Sequence, residues 1–193
     1  MAYITASDVK TYLDITASGD DAFITTLISQ AKAIIDRATK RNFEAATGTR
    51  YFDPLKDVRG GMLLLDADLA SASGLVVTNG DAAVLASSGF SLVPANKPPY
   101  FGIQLKASAN KTWTYATDPE NAITVAGKWG WSTSAPADIQ HATRRLVSFL
   151  YRQKGTNQDI DRPIIAPGGS VIMPHKLPAD VQALLQPYVR YAG

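Results

Sequence analysis

The stretch Gly127–Gln153, GKWGWSTSAPADIQHATRRLVSFLYRQ, joins a β-rich run that ends in two tryptophans to an amphipathic helix. Pro136 suits the first turn of that helix, because the missing N–H has no helical partner there. Apolar residues recur at helical spacing: Ile139, Ala142, Leu146, Val147 and Leu150. The opposite side is basic and polar: His141, Arg144, Arg145, Ser148 and Arg152. The stretch predicts a sheet coupled to a helix with one buried stripe and one basic outer face.

Two further helices are predicted upstream of this stretch. Thr5 and Asp8 have capping-box spacing, and Ser18 and Asp21 repeat it before a longer helix. The apolar stripe of the longer helix comprises Ile24, Leu27, Ile28, Ala31, Ile34, Ile35 and Ala38. Its predicted outer face comprises Thr25, Thr26, Ser29, Ala33, Asp36, Arg37 and Lys40. Each helix is therefore one-sided, and packing the stripes on one another is the simplest way to bury them.

The segment between these helices is β-rich. Seven short runs are separated by turn residues: GTRYFDP, GMLLLD, GLVVTN, FSLVP, YFGIQLKA, KTWTYA and AITVAGKW. No helical pattern separates them, which favours an antiparallel sheet over a βαβ layout. We predict an α+β fold, a small helical bundle with an inserted antiparallel β subdomain and a C-terminal arm. The predicted divisions are 1–46 with 132–154 for the helical body, 47–131 for the β subdomain and 155–193 for the arm and a short helix.

The arm combines an aperiodic sequence with a high apolar content. Between Gly155 and Leu177 it carries Ile164, Ile165, Val171, Ile172 and Met173. A solvated linker would expose that apolar area as a sticky patch. We expect the arm to order on a partner, where SVIM adds as an edge strand or enters a groove. An arm folded back on its own subunit remains the alternative.

Composition excludes several classes of function. The 193 residues have a formal net charge of +2 and no cysteine, so disulfides and thiolate chemistry are excluded. The charge balance does not demand a nucleic-acid or membrane partner. No apolar run is long enough to span a bilayer, and the N-terminus has no apolar signal core. We expect a soluble protein that is made in, and stays in, the cytoplasm.

Motifs for catalysis or metal binding are weak. The two histidines, His141 and His175, are far apart in the sequence. Two acidic pairs occur, Asp66 with Asp68 and Asp159 with Asp161, and we interpret them as solvated turn carboxylates rather than cation ligands. Neither a GxSxG nucleophile motif nor a Walker phosphate loop is present. The sequence predicts no catalytic residue, no metal site and no cofactor.

A set of interleaved aromatic and basic residues admits two interpretations. The set comprises Lys111, Trp113, Tyr115, Lys128, Trp129 and Trp131. It could form a stacking platform for single-stranded nucleic acid. Alternatively, the tryptophans fill the junction between sheet and helix with apolar bulk. The nearly neutral charge favours the second interpretation.

Four stretches, in order along nearly the whole chain, resemble the head–tail connector (adaptor) proteins of long-tailed bacteriophages and related gene-transfer particles. The stretches are YITASDVKTYLDIT…DDAFITTLISQAKAIIDRATKRNF, VPANKPPYFGIQL, ITVAGKWGWSTSAPADIQHATRRLVSFLYRQ and VIMPHKLPADVQALLQPY. The third is similar to the family's W-G-x-(S/T)-x-x-P-x-x-(I/L) junction and third helix. The fourth is similar to its C-terminal closure.

The resemblance implies a structural role without a reaction or a cofactor. Such proteins form a ring, typically of twelve copies, beneath the capsid portal. The ring extends the DNA channel, which DNA crosses without sequence-specific binding, and joins the head to the stopper or tail. It implies that this chain is made in the cytoplasm of a bacterial host and ends in the virion at the head–tail interface, with no membrane contact.

Three groups of residues are the predicted contacts and structural positions. Trp129, Trp131 and Pro136 would fix the β subdomain against the helical body. Contacts with a neighbouring copy or the portal are predicted for a small-residue helix face, a basic helix face and the arm: Thr26, Ser29, Ala33, Arg144, Arg145, Arg152, Ile164, Ile165, Val171, Ile172 and Met173.

Overall fold

The described residues have an α+β fold, as predicted, with four helices and a six-stranded antiparallel sheet. The computed structural model describes residues 3–153, 164–165, 171–172 and 177–190. These residues form two compact units. The helical unit contains the described residues of Met1–Lys40 and Ala135–Gly193, and the β unit spans Arg41–Ser134. The structure thus groups the described C-terminal residues with the helices, whereas the sequence-based division places 155–193 in a separate arm.

The helices begin and end near the predicted residues. Their bounds are α1 Ala6–Leu13, α2 Asp21–Thr39, α3 Ala137–Gln153 and α4 Ala179–Leu185, and a 3₁₀ turn follows over Gln186–Tyr188. Thr5 and Asp8 form the predicted capping box. The predicted cap at Ser18 is wrong, because Asp20 is the N-cap of α2 and makes no side-chain capping bond. Within the described residues, no helix has the length and apolar character needed to cross a membrane.

Helix α3 lies at the centre of the helical unit and contacts α1, α2 and α4. The helical core is buried as the two stripes predict: Ile24, Leu27, Ile28, Ala31, Ile35, Ile139, Ala142, Leu146 and Val147. Three predicted core residues are less buried, since Ile34 and Leu150 are half-buried and Ala38 is exposed. The predicted exposure of Ser148 is wrong. It is buried because α3 is covered on several sides, and its hydroxyl donates to the Arg144 carbonyl at 2.8 Å.

Three tyrosine hydroxyls donate to aspartate carboxylates elsewhere in the helical unit. Their bonds join Tyr3 to Asp36, Tyr151 to Asp20 at 2.6 Å and Tyr188 to Asp138 at 3.1 Å. Each pair is distant in sequence, and each aspartate lies in a helix or, for Asp20, at the N-cap that precedes one. Because a charge-assisted hydrogen bond is stronger than a neutral one, these bonds add orientation to the apolar packing.

The Tyr151 bond predicts a loss of stability at alkaline pH. Hydrogen bonding to the Asp20 carboxylate, followed by burial, raises the pKa of Tyr151 above its ordinary value of 10.0. A group with a raised folded-state pKa contributes stability below its unfolded pKa and loses that contribution as pH rises through the folded value. We expect Tyr151→Phe to melt below the parent at pH 8 and the difference to shrink above pH 10. Thermal melts across this range measure it, with Tyr51→Phe as the control, because Tyr51 is 60% exposed. A constant difference would contradict the assignment.

The β unit contains one sheet with strand order β1-β6-β3-β5-β4, and β2 also pairs with β3. The strands are β1 Ala46–Phe52, β2 Val58–Arg59, β3 Met62–Thr78, β4 Phe90–Val93, β5 Tyr100–Leu105 and β6 Ile123–Trp129. The predicted runs GMLLLD and GLVVTN form the single strand β3. It is irregular, because its register shifts between Leu64 and Leu69 and again before Val76. The first part pairs with β5 and the last with β6.

The run KTWTYA is not a strand, contrary to the prediction. It crosses the β unit as irregular chain, with one isolated bridge between Gly80 and Tyr115. Buried Asn79 fixes its course, because its amide donates to the Thr112 carbonyl and its side-chain oxygen accepts from the Thr114 amide. This run has the composition of a strand but forms no ladder, because the Asn79 side chain bonds to its backbone groups at Thr112 and Thr114.

The arm contains a short ladder within its described residues. Strand β7, Ile164–Ile165, pairs antiparallel with β8, Val171–Ile172. The sequence-based prediction was that SVIM adds as an edge strand to a partner or enters a groove, with an arm folded back on its own subunit as the alternative; Val171 and Ile172 of this stretch pair within the chain. Helix α4 follows, and Val181 and Leu185 are buried against the helical unit. The Arg190 amide donates to the Thr39 carbonyl at 2.8 Å, which fixes the C-terminal segment at the end of α2.

Candidate functional site

Trp129 is a core residue of the β unit. Only 6% of it is exposed, and its indole N–H donates to the Gly48 carbonyl at 2.9 Å. The Phe52 ring lies 6.3 Å away, and the Arg50 guanidinium lies 4.9 Å from the indole centroid. The residue pairs with Ala46 on β1 and Leu69 on β3. Trp129 therefore joins three strands, and its prediction as a largely buried structural residue is consistent with this packing.

Gly130 brings the end of β6 against the chain that precedes β1. A Cβ at this position would lie 2.8 Å from the Ala45 Cα, and Gly130 has φ +154°. Its amide donates to the Asp68 carbonyl at 2.7 Å, and the Trp131 amide donates to the Asn42 carbonyl at 2.6 Å. A side chain would push these backbones apart, so the GKWGW motif requires glycine here.

Trp131 is half-buried and lies between an aromatic ring and a cation. The Phe43 ring is 6.3 Å away, and the Arg41 guanidinium lies 4.4 Å from the indole centroid. Arg41 also donates to both carboxylate oxygens of Asp68 at 2.6 Å. This charge-assisted pair, with its guanidinium over an indole, fixes the orientation of all three side chains.

The Asp66 and Asp68 carboxylates pair with arginines. Asp68 is 7% exposed and pairs with Arg41, whereas the more exposed Asp66 pairs with Arg50 at 2.5 Å. Both lie within β3, so the prediction that they lie in a turn is wrong; Asp66 is exposed as predicted, whereas Asp68 is buried. No group of three or more potential metal ligands occurs among the described residues. The second acidic pair, Asp159 with Asp161, and His175 lie outside the described residues.

The aromatic and basic set does not form one platform. Lys128 and Trp129 are adjacent in β6, so their side chains lie on opposite faces of the sheet. Trp129 is buried, and the Trp113 indole donates to the Gly61 carbonyl at 2.9 Å while packing against the β core. Stacking with nucleic acid would need accessible ring faces. The geometry therefore favours the structural interpretation of these tryptophans.

The outer face of α2 is exposed as predicted at its small residues. Thr26, Ser29 and Ala33 are all exposed. The Thr26 and Ser29 hydroxyls donate to carbonyls one turn earlier in the same helix. The two hydroxyls are therefore bonded within the helix, and the exposed side chains at these positions are small.

The predicted basic face of α3 is partly covered within the helical unit. Arg145 pairs with Asp180 of α4 at 2.5 Å, and the bond to Arg145 lowers the pKa of Asp180. Hydrogen bonds from the Thr5 backbone and side chain lower the pKa of Asp8 on α1, and the charge of half-buried Arg144 adds a smaller lowering. Arg152 is exposed near the end of the helix. Of the three predicted contact arginines, Arg152 is the one most accessible to another molecule.

The predicted contact residues of the arm are only partly described. Ile164, Ile165, Val171 and Ile172 form the β7–β8 ladder, and Met173 lies outside the described residues. The predicted junction residue Pro136 immediately precedes α3, and its carbonyl accepts from the Gln140 amide at 2.9 Å. Pro136 thus provides the first hydrogen-bond acceptor of the helix.

A cleft of about 460 Å³ lies between α1 and the start of α2. Lys10 and Asp21 line it and pair with each other at 2.8 Å. Asp14 forms the left-handed C-cap of α1, and its amide donates to the Lys10 and Thr11 carbonyls. Lys10, in the last turn of α1, and Asp21, in the first turn of α2, thus neutralise each other in this cleft.

Comparison with known proteins gives a similarity of fold. No protein-family model matches the chain, and no curated protein matches it by sequence. One similar solved structure is described as the neck of an empty GTA particle computed with C6 symmetry. It has a TM-score of 0.59 at 15% identity, over 99% of this chain and 91% of the other. A second is described as the virion of a native gene transfer agent (GTA) particle, with a TM-score of 0.57 at 16% identity over the same shares. The chain therefore shares, over nearly its whole length, the fold of a component of these particles.

Proposed function

We propose that this protein is a structural head–tail connector subunit of a phage-like particle. Twelve copies would form a ring beneath the portal, extend the DNA channel and join the head to the stopper or tail. The observation that carries the proposal is the fold similarity to a neck chain over 99% of this sequence. The six-fold symmetry of that neck is compatible with a ring of twelve copies, because twelve is a multiple of six. The location would be the virion, after synthesis in the host cytoplasm.

The surfaces of the chain support a role in assembly. A ring uses heterologous contacts, in which one patch meets a different patch on the next copy. The small exposed side chains of the α2 face, Thr26, Ser29 and Ala33, permit close approach of such a neighbour. Arg152 provides an exposed cation on a different helix. We assign the first surface to copy–copy contact and the second to an acidic surface on a neighbouring copy or the portal.

The arm is the proposed attachment to the portal. Its apolar residues Ile164, Ile165, Val171 and Ile172 lie in a two-stranded ladder that can add to a partner's sheet edge. Removing everything after Lys154 would be a poor test, because buried Val181 and Leu185 would be lost as well. Contacts between the arms and the portal would reinforce one another when many copies bind together as a ring.

We expect Arg152→Glu to weaken assembly on the portal without unfolding the subunit. An exposed arginine contributes only about 0–1 kcal/mol to folding, so the thermal melt should change little. Reversing its charge against an acidic partner adds repulsion in every copy of the ring. Co-sedimentation with portal at physiological salt measures the effect. The matched control is Lys97→Glu, which reverses an exposed charge in the β unit. Equal assembly of both variants and the parent would count against the assigned contact.

A further inference from the structure

One outer surface of the sheet in the β unit carries two aligned rows of uncharged side chains. The strand register gives the first row as Tyr51, Thr124, Thr78 and Val84, and the second row as Thr49, Ala126 and Val76. We call these seven residues the outer sheet patch. Side chains of directly paired residues lie on the same face of a sheet, about 5 Å apart, and alternate residues of a strand share a face. The seven side chains therefore lie together and face one way.

The outer sheet patch faces away from the core and is accessible. Val77 and Val125 alternate with the patch residues on their strands, pair with each other, and are fully buried on the opposite face. In contrast, Tyr51, Val76 and Val84 are 60%, 46% and 67% exposed. Exposed apolar side chains that form one continuous surface mark an interaction site more often than scattered ones do.

The absence of charge determines the chemistry of the partner. Neither row contains a charged residue, and Lys128 lies in the next row along the strands, between Thr47 and Ser71. A charged partner group would lose its hydration at the centre of such a surface without gaining a counter-charge. The outer sheet patch therefore suits an uncharged protein surface and does not suit a row of phosphates.

Helix α2 presents an exposed face of the same kind. Its exposed side chains between residues 22 and 33 recur at helical spacing and carry no charge: Ala22, Thr25, Thr26, Ser29, Gln30 and Ala33. The Thr25, Thr26 and Ser29 hydroxyls each donate to a carbonyl one turn earlier in the helix. A partner can therefore cover these hydroxyls without leaving a donor unbonded.

The two surfaces also match in length. With a rise of about 1.5 Å per residue, the exposed α2 face between residues 22 and 33 is about 16 Å long. The first row of the outer sheet patch spans about 14 Å, because adjacent strand positions are about 4.8 Å apart. We propose that the outer sheet patch of one copy packs against the exposed α2 face of the next copy in the ring. This inference rests on the proposed function and names the surface that the α2 face meets.

Symmetry and area favour this pairing over two outer sheet patches face to face. Identical patches in contact close a two-fold dimer, whereas a ring needs two different patches. The outer sheet patch has a footprint of roughly 270 Å² on strand and residue spacings. Stable complexes bury about 800 Å² on each partner, so this contact alone does not hold two free copies together. It acts where a portal already brings the copies side by side.

Crosslinking in the assembled ring tests the pairing, because the chain has no cysteine of its own. The variant Ser29→Cys with Thr78→Cys places one thiol near the centre of each surface. A flexible bifunctional maleimide should join neighbouring chains on the portal into a ladder of covalent oligomers, and should leave the free protein monomeric. The control pair, Ser29→Cys with Lys97→Cys, moves the second thiol to an exposed position outside both rows and should give no ladder.

A charge inside the outer sheet patch provides a second test. Val84→Glu should lower the yield of complete rings on the portal at least about fivefold, because each contact in the ring would then bury an unpaired carboxylate. The matched control is Leu55→Glu, because Leu55 is 66% exposed and lies in the turn after β1, outside both rows. Thermal melts of both variants should stay near the parent, since both side chains are largely exposed.

The outcomes separate this inference from the connector role. Rings that form on the portal without a ladder, with an equal ladder in the control pair, or with covalent dimers only would overturn the pairing and leave the connector role intact. Equal ring yields for Val84→Glu and Leu55→Glu would also overturn it. If the parent forms no ring on the portal, the connector role and this pairing are both wrong.

Discussion

Trp129→Ala should destabilise the β unit by roughly 3–5 kcal/mol, the range for truncating a large buried aromatic side chain. The residue is 6% exposed and joins β1, β6 and β3, so its loss leaves a cavity that three strands share. It also leaves the Gly48 carbonyl without its indole donor. Chemical denaturation followed by circular dichroism measures the loss.

Two further variants separate the contributions of Trp129. Trp129→Phe keeps an aromatic ring but not the donor, so it should cost less than the alanine variant. Trp131→Ala removes a half-buried ring and should also cost less than Trp129→Ala. If Trp129→Ala and Trp131→Ala both unfold within about 0.5 kcal/mol of the parent, the structural assignment of the junction is wrong.

Asp68→Ala should cost about 3–5 kcal/mol, because it leaves a largely buried guanidinium without its carboxylate. The Asp68 and Arg41 side chains are 7% and 16% exposed, and one guanidinium nitrogen of Arg41 contacts both carboxylate oxygens of Asp68. The cation would keep its contact with the Trp131 ring but lose its carboxylate.

Asp66→Ala is the matched control for this ion pair. It removes the same group from the same strand, but the Asp66 and Arg50 side chains are 59% and 38% exposed. An exposed pair contributes about 0–1 kcal/mol. The double variant Arg41→Met with Asp68→Leu should recover much of the loss, because apolar replacement of a buried pair is often neutral. If Asp66→Ala and Asp68→Ala lower the free energy of unfolding equally, burial of the Arg41–Asp68 pair is not what determines the loss.

The helices were predictable because a repeating apolar stripe determines both the element and its buried face. Helix α2 shows this, as five of its seven predicted stripe residues are buried. The face opposite a stripe was less predictable. Ser148 is buried because α3 contacts three other helices, and a single-helix pattern does not reveal how many neighbours cover it.

The sequence predicted an antiparallel sheet for the β unit, but not the division into strands or the contacts between distant residues. Asp66 and Asp68 resembled a break between strands, whereas arginine partners allow both carboxylates to lie within β3. Arg41 and Asp68 are 27 residues apart, and no local spacing indicates their pairing. The same holds for Trp113, whose partner Gly61 is 52 residues away. Contacts of this kind depend on the folded path of the chain, so one sequence does not show them.

The connector role is tested most directly by the mass of the purified protein, measured by native mass spectrometry alone and after mixing with the portal protein of the same particle. We predict a monomer when the protein is alone and a closed ring of twelve copies on the portal. The transition should be abrupt, because each added copy completes contacts with its neighbour. A chain that remains monomeric with portal at all concentrations, or that binds as a single copy without closing a ring, would contradict the account.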